Sequence, residues 1–230
     1  MAVVLLSGGL DSALNLALAA KDRKASFALT MQYGQRAEAA ELQAAKSLCD
    51  FYSVPWRSVD IRWLGEVNPT TLTRKDTLLP NLELDELDHP EKSDSSMRSV
   101  WVANRNGLFL NVAAAFAEAL NDNQVLVGFN VEEAATFPDN SAAFLKTINA
   151  ALSFSTLNKV EITSYTTEWN KTEIIAKALE IGLPLDKVWS CYEPGPIRCW
   201  KCESCKRSER ALRNAGSKGI EWLKILGKKL

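Results

Sequence analysis

The 230-residue sequence contains no long uninterrupted apolar run, although 47% of its residues are hydrophobic. A helix that crosses a membrane needs about 20 consecutive apolar residues, so none is expected here. The first residues lead directly into an apolar strand pattern, without the charged and apolar regions of a signal peptide. These absences predict a cytoplasmic protein with no membrane association.

The sequence also lacks an excess of charge of one sign. Its 27 basic and 28 acidic residues give a formal net charge of −1. Proteins whose main ligand is nucleic acid usually present a strong basic field, so the composition does not favour that class. The length suits one good-sized domain with a small appended module.

The chain is organised around one stretch, Ser7-Gly8-Gly9-Leu10-Asp11-Ser12, which lacks the Gly-Lys-Ser/Thr end of an ordinary P-loop. An apolar run precedes it and an Ala/Leu-rich run follows, which predicts a short strand, a tight turn and a helix beginning near Asp11. Such a turn binds anions, most often phosphate, through exposed amides and the helix dipole. The alternative is a plain turn with Asp11 as helix cap. A carboxylate beside phosphates is useful mainly when Mg²⁺ lies between them.

These six residues resemble the SGGxDS loop of the N-type ATP pyrophosphatases. The resemblance implies that the loop binds the pyrophosphate end of ATP. A substrate oxygen would then attack the α-phosphorus, and the products would be an adenylate and pyrophosphate.

Strand and helix patterns alternate along the rest of the chain. The predicted elements are strands at 26–33, 59–61, 124–128 and 159–163 and helices at 37–51, 107–120, 142–153 and 174–181. This order predicts an α/β fold with a doubly wound, mostly parallel sheet, whose ligands bind at the carboxyl ends of the strands. Residues 68–98 are rich in Thr, Asp, Glu, Ser and Pro and are expected to form a mobile insertion. His89, within it, is expected to be solvated.

Several charged residues are site candidates because of their predicted positions. Arg105 lies at the N-terminal end of the predicted helix 107–120, and Lys171 lies in the first turn, Asn170-Lys171-Thr172-Glu173, that begins the helix 174–181. At both places the dipole disfavours a cation unless an anion is bound nearby. Arg36 follows the second strand and could bind phosphate or a carboxylate, or be a solvated surface residue. Glu132 and Glu133 follow another strand, either as helix N-terminal charges or as ligands of Mg²⁺ or an amino group.

Four of the five cysteines lie within fifteen residues, with the spacing C-x7-C-x2-C-x2-C: Cys191, Cys199, Cys202 and Cys205. Four thiolates at this density predict a structural, tetrahedral Zn²⁺. An iron–sulfur cluster is the alternative, but no other feature suggests redox work. Cys49 stands apart on an Ala/Leu-rich helix and is expected to be a buried core residue.

Basic residues follow the cysteines: Lys201, Lys206, Arg207, Arg210 and Arg213. They allow a nucleic-acid-binding zinc ribbon, or they are the solvated face of a terminal helix. The second interpretation is preferred.

Taken in order, a larger set of short motifs resembles one branch of the superfamily, the 7-cyano-7-deazaguanine (preQ0) synthase family, QueC. Besides Ser7–Ser12 and the four cysteines, the matching residues are Tyr33-Gly34-Gln35-Arg36 with Glu41, Arg105-Asn106, Gly128-x-Asn130, Pro138-Asp139, Lys171 and Ser190-Cys191-Tyr192. The resemblance implies a ligase of queuosine biosynthesis that converts 7-carboxy-7-deazaguanine, ammonia and ATP to the nitrile through an adenylated acid and an amide. It also implies an adenine nucleotide alpha-hydrolase-like fold, Mg²⁺ with ATP, one structural Zn²⁺ and a homodimer.

The resemblance also assigns roles to individual residues. The catalytic candidates are Asp11, Ser12, Lys171 and Arg105. The ATP-binding candidates are Leu6, Ser7, Gly8, Gly9, Leu10, Asp11, Ser12, Ala13, Leu14, Asn15, Leu16 and Lys171. The substrate candidates are Tyr33, Gln35, Arg36, Arg105, Asn106, Asn130, Glu133 and Asp139. Residues 1–188 would form the catalytic domain and residues 189–230 the zinc-binding segment with the C-terminal helix, whose Trp222, Leu223, Ile225 and Leu226 could form the dimer interface.

Some positions depart from the family pattern. The family usually has Pro at Ala103, His at Ala37 and Asp at Glu133 or Glu132, and its Tyr-Pro-Asp-Cys-Arg segment is replaced by residues 137–141, Phe-Pro-Asp-Asn-Ser. The adenylation residues are unaffected, whereas the substrate pocket changes. A related adenylating enzyme that acts on another acyl acceptor or on a tRNA base is therefore the alternative.

Overall fold

A parallel five-stranded sheet forms the centre of the protein in the computed structural model, which describes residues 1–229. Its strands are β1 (Ala2–Leu5), β2 (Ala25–Gln32), β3 (Trp56–Asp60), β4 (Gln124–Leu126) and β5 (Glu161–Thr163). They lie in the order β3-β2-β1-β4-β5, and every neighbouring pair is parallel. The predicted doubly wound α/β fold is confirmed. Leu230, which ends the predicted zinc-binding segment, lies outside the described residues.

Helices cover both faces of the sheet. They are α1 (Leu10–Lys21), α2 (Glu38–Tyr52), α3 (Trp63–Val67), α4 (Pro90–Val100), α5 (Arg105–Ala119), α6 (Val131–Ala134), α7 (Ala142–Ser155), α8 (Lys171–Ile181), α9 (Glu203–Asn214) and α10 (Gly216–Ile225). Val4 packs with α1, α2 and α8 on one face, while Val3 packs with α5 and α7 on the other. Both valines are fully buried, which explains why β1 is a continuous apolar run.

The start of α1 contradicts the interpretation of the Ser7–Ser12 stretch as a plain turn capped by Asp11. Gly9 is the N-cap, and Asp11 lies inside the first turn, so the interpretation of Asp11 as a helix cap is wrong. The start of α8 agrees with its sequence signal, because Asn170 and Glu173 form a capping box and Gly182 ends the helix in the left-handed conformation.

The 68–98 insertion contains more regular structure than its composition indicates. Its C-terminal part is α4, and Leu72, Leu82 and Leu87 are buried. These leucines anchor the chain before α4. The helix itself buries Ser96 and Val100, so its inward face is too polar for a search for apolar periodicity to detect. His89 is exposed, as expected.

The C-terminal segment packs onto the main core. Cys191, Leu212 and Leu223 belong to the same apolar cluster as β1. The amide of Trp189 also donates a hydrogen bond to the carbonyl of Gly8 at 2.8 Å. Of the proposed interface residues, Leu223 is fully buried whereas Ile225 is 57% exposed. Within residues 1–229, no helix combines the length and the apolar character needed to span a membrane.

Candidate active site

A cavity of about 270 Å³ lies at the carboxyl ends of the strands, where the loop after β1 meets the ends of β2 and β4. The strand order reverses direction between β1 and β4, which is where ligands bind in doubly wound sheets. The walls come from residues 7–12, the end of β2, the start of α5 and the C-terminal segment.

The loop needs glycine where other chain segments approach it closely. Gly8 has a φ of +80°, and a Cβ there would lie 2.8 Å from the carbonyl oxygen of Glu41. A Cβ on Gly128, just after β4, would lie 2.4 Å from the amide nitrogen of Ser12. These two glycines allow the backbones of α2 and of the segment after β4 to pack directly on the loop.

Serine hydroxyls line the same loop. The hydroxyl oxygens of Ser7 and Ser12 lie 3.0 Å apart, and the amide of Gly9 donates to Ser7 Oγ at 3.2 Å. Ser12 Oγ also lies 3.1 Å from the Gly9 carbonyl oxygen. The loop thus presents hydroxyl groups and the N-terminus of α1 to the cavity, a combination that suits phosphate oxygens.

Lys171 forms ion pairs with two carboxylates beside this loop. Its Nζ lies 2.5 Å from Asp11 Oδ2 and 3.3 Å from Glu133 Oε1. Burial acts to lower the pKa of Lys171, but the two carboxylates outweigh it and raise that pKa above its usual value. Burial raises the pKa of Asp11, against the effect of Lys171.

Lys171 contacts only one of the two carboxylate oxygens of Asp11, Oδ2. Oδ1 is buried and has no hydrogen-bond partner among the described residues. A carboxylate oxygen of this kind fits a hard divalent cation such as Mg²⁺.

Arg105 begins α5 and contributes a cation to the cavity wall. Its guanidinium carbon lies 5.7 Å from the centre of the Tyr33 ring, and that ring lies 5.5 Å from the ring of Phe109. Asn106, the next residue, donates through Nδ2 to the carbonyl of Asp139 at 3.4 Å. This wall therefore combines one positive charge with aromatic surface.

Gln35 and Arg36 are both held by other protein groups. Gln35 Oε1 accepts the Tyr33 amide at 2.9 Å, and Nε2 donates to Glu41 Oε2 at 2.9 Å. Arg36 donates to both oxygens of Glu193, at 2.8 and 2.9 Å. Arg36 also borders the cavity, but its guanidinium joins the C-terminal segment to the end of β2.

The four clustered cysteines come together as predicted. The Sγ atoms of Cys191, Cys199, Cys202 and Cys205 all lie within 4.8 Å of one another, and those of Cys199 and Cys205 are 3.9 Å apart. A tetrahedral ion with sulfur ligands at about 2.3 Å holds the sulfurs roughly 3.8 Å apart. Main-chain amides donate to two of them, such as that of Cys202 to Cys199 Sγ at 3.3 Å, which favours thiolates. The group fits one metal ion.

Comparison with known proteins assigns the chain to a family. Residues 1–216 match the family described as queuosine biosynthesis protein QueC. The chain belongs to the QueC family. The 7-cyano-7-deazaguanine synthase of Desulforamulus reducens is 47% identical over 214 residues, which is 93% of this chain and 94% of that protein. The enzyme of the same name from Methanosarcina mazei is 43% identical over 220 residues, 94% and 95% of the two chains.

A solved structure supports the fold. The U34-tRNA thiolase NcsA of Methanococcus maripaludis, described with its [4Fe-4S] cluster, has a TM-score of 0.51 and 14% identity. The match covers 98% of this chain and 70% of that one. At this identity the likeness concerns the fold alone.

Not all of the predicted site residues of this QueC-family chain reach the cavity. Ala13, Leu14, Asn15 and Leu16 are fully buried in the core below the loop. Asn15 Nδ2 donates to the Asp11 carbonyl and to Thr166 Oγ1, both at 2.9 Å, and therefore supports the loop from behind.

Two predicted substrate residues also lie behind the cavity wall. Asn130 is fully buried, and its side chain accepts the Glu133 amide at 2.9 Å as the cap of α6. Asp139 lies beside Asn106, within electrostatic range of Arg105. The cavity-lining candidates are Tyr33, Gln35, Arg36, Arg105, Asn106 and Glu133.

The sequence interpretation missed cavity residues on α9. Arg207 contacts Glu203 Oε1 at 2.9 Å and Glu132 Oε2 at 3.4 Å, and its side chain is 11% exposed. The interpretation of Arg207 as part of a solvated helix face is wrong, because its face of α9 packs against α6 and the insertion. The i,i+4 spacing of Glu203 and Arg207 was the available signal.

Proposed function

We propose that this chain is a 7-cyano-7-deazaguanine synthase that uses ATP and ammonia to convert 7-carboxy-7-deazaguanine to the nitrile. The observation that supports this most strongly is the cluster of Lys171, Asp11 and Glu133 beside a phosphate-type loop. The family relatives that carry the synthase name support the choice of substrate.

The chemistry begins with a carboxylate, which is a poor electrophile. An oxygen of the substrate carboxylate attacks the α-phosphorus of ATP, and pyrophosphate leaves. Ammonia then attacks the acyl carbon, AMP leaves, one proton is lost and an amide remains. The amide oxygen attacks a second ATP in the same way, and loss of AMP with two protons gives the nitrile.

The proposed roles follow from the positions of the residues. The amides of the loop and the hydroxyls of Ser7 and Ser12 bind the leaving phosphates, which Lys171 neutralises. Mg²⁺, when bound, neutralises phosphate charge, and Asp11 Oδ1 would hold it. Arg105 orients the substrate carboxylate against the aromatic wall.

The metal at the cysteine cluster is proposed to be one structural Zn²⁺. Four thiolates complete a tetrahedral site and leave no position for a substrate. A four-iron cluster binds each cysteine to a different iron and would spread the sulfurs wider than the observed 4.8 Å limit.

Thiolation, the activity of some adenylating enzymes, is disfavoured here. It requires a reactive thiol outside the metal cluster, and the remaining cysteine is Cys49. Burial raises the pKa of Cys49 to about 12, and the residue is 1% exposed, so it is a poor nucleophile. We further propose a homodimer that acts in the cytoplasm, where ATP is available.

The test is incubation with Mg-ATP, ammonium and 7-carboxy-7-deazaguanine, followed by mass spectrometry. The nitrile, the intermediate amide and two AMP per nitrile are expected. AMP and amide without nitrile would support adenylation and reject the complete reaction. Neither AMP nor nitrile would reject the proposal.

A further inference from the structure

Glu41 contributes a carboxyl group to the cavity wall from the first turn of α2. Its main chain packs on Gly8 of the loop. Its Oε2 accepts a hydrogen bond from Gln35 Nε2 at 2.9 Å, while Oε1 has no hydrogen-bond partner among the described residues. One oxygen of Glu41 is therefore available to a molecule in the cavity, and the second retains a free lone pair.

Gln35 fixes the orientation of this carboxyl. It is 5% exposed, and its Nε2 donates to the Met31 carbonyl at 3.1 Å as well as to Glu41. Its Oε1 accepts the Tyr33 amide. Every polar atom of the Gln35 side chain thus forms a hydrogen bond within the protein. The side-chain amide therefore positions Glu41 and has little hydrogen-bonding capacity remaining for a ligand.

Nothing in the fold itself requires a carboxyl at this place. Glu41 forms no ion pair within the part of the chain that the structure describes, whereas Glu38, in the same helical turn, pairs with Arg62 at 3.0 Å away from the cavity. Burial raises the pKa of Glu41 to about 7, with Gln35 and Arg105 acting to lower it and Glu38 to raise it. A half-buried acid that lines a cavity and has no ion-pair partner among the described residues indicates a ligand that donates hydrogen bonds.

We propose that Glu41 recognises the aminopyrimidinone edge of the deazaguanine, with its two oxygens accepting the ring N–H and the exocyclic amine. This inference rests on the proposed function. A carboxylate matches two adjacent donors, and guanine-type rings present such a pair. The adenine of ATP presents an amine beside a ring acceptor, which fits a carboxylate less well. Tyr33, Phe109 and Phe129 supply aromatic surface for the ring in the same cavity.

Steady-state kinetics of Glu41→Gln test the inference, with Glu38→Gln as the matched control. The amide keeps the shape of the side chain but turns one acceptor into a donor that faces the substrate N–H groups. We expect the KM for the acid to rise about 30- to 100-fold, as for loss of charge-assisted hydrogen bonds, with the KM for ATP unchanged within about twofold. Glu38→Gln should leave both constants unchanged.

A substrate analogue that lacks the exocyclic amine gives the second arm. The wild type should discriminate against it strongly, and Glu41→Gln should lose most of that discrimination. Calorimetric binding of the acid without ATP provides a readout independent of turnover, and thermal unfolding checks the fold of each variant.

Three results would overturn the inference: an unchanged KM for the acid in Glu41→Gln, a rise in the KM for ATP instead, or equal discrimination by both proteins. Failure of the wild type to make nitrile would instead contradict the proposed function. The two failures are therefore distinguishable.

Discussion

At the scale of single residues, a substitution of Asp11 tests most directly whether the Ser7–Ser12 loop is the site of adenylation. Asp11→Asn keeps the shape of the side chain but removes the negative charge beside Lys171. It also replaces the carboxylate oxygen that would hold Mg²⁺ by an amide oxygen, which is a weaker ligand. We expect pyrophosphate release to fall at least about 100-fold, as for loss of one group that stabilises transition-state charge. A coupled pyrophosphate assay measures it.

The control for this change is Asp50→Asn, which removes a 65% exposed carboxylate paired with Lys46. It should leave turnover unaltered. If Asp11→Asn also turned over at the wild-type rate, the loop would not be the site of adenylation.

Glu41 has a predicted effect on the pH dependence of stability. Its pKa is about 7 in the folded protein against an ordinary value of 4.5. Below pH 4.5 the carboxyl is protonated in the folded and the unfolded state, so it does not lower the free energy of unfolding. Above pH 7 it is charged in both states, and the buried charge lowers the free energy of unfolding by up to about 3 kcal/mol.

Glu41→Gln lacks this penalty. Its free energy of unfolding should therefore increasingly exceed that of the wild type as the pH rises from 4.5 to 7, and the difference should level off above that range. Urea unfolding at several pH values measures this, with Glu38→Gln as control. A difference independent of pH would contradict the burial of a titrating carboxyl.

At the scale of structural elements, the cysteine cluster ties the C-terminal segment to the core. Cys202→Ser should reduce both the content of bound metal and the free energy of unfolding, the latter by at least about 3 kcal/mol, because metal binding contributes directly to folding. Elemental analysis and denaturant unfolding measure the two quantities. Cys49→Ala, a buried cysteine outside the cluster, should retain the metal. Wild-type stability in Cys202→Ser would reject a structural metal.

Helix α9 also connects the cluster to the insertion. Arg207 donates to the carbonyl of Leu87 at 3.2 Å and pairs with Glu203 and Glu132. Arg207→Met should leave the buried Glu203 without its ion-pair partner, at a cost of about 3–5 kcal/mol, and release the insertion, although Arg210 still pairs with Glu132 at 3.1 Å. Hydrogen exchange should accelerate across residues 82–100.

The control on the same segment is Arg98→Met, since Arg98 is 73% exposed and, within residues 1–229, pairs only with Asp94 of α4. Such a surface pair is worth about 0.3–0.5 kcal/mol, so exchange should barely change. Equal exchange in both variants would show that α9 does not hold the insertion.

At the scale of the whole molecule, charge disfavours nucleic acid. The net charge is −1, and basic residues after the cysteines pair with acids of the same chain, such as Lys206 with Glu83 at 2.8 Å and Arg213 with Glu209 at 2.8 Å. We expect tRNA to bind no more tightly than about 10⁻⁶ M at physiological salt. Fluorescence anisotropy over a salt series measures this, and tight, salt-dependent binding would revive the zinc-ribbon interpretation.

Much of the fold and the outline of the site could be predicted from local signals. The Ser7–Ser12 loop, the capped start of α8 and the four cysteines depend on neighbours within a few residues, and the structure contains each of them. Their order along the chain was also specific enough to indicate the QueC family, which the comparisons confirm.

Which way a side chain faces could not be predicted in this way. Arg36 is engaged by Glu193, 157 residues away, and Arg207 by Glu132, 75 residues away. Glu41 and Glu38 lie in one helical turn, yet one enters the cavity and the other pairs at the surface. The position of a helix face depends on what packs against it.

The sequence by itself determined the order of the five strands, the Ser7–Ser12 loop and the clustering of the four cysteines, because backbone geometry and residue spacing are local properties. Only the tertiary structure decided that Asp11, Glu133 and Lys171 form one cluster and that residues of α9 and Glu41 line the cavity. Those contacts join segments far apart in the chain, and close packing of the two layers of helices on the sheet brings them together.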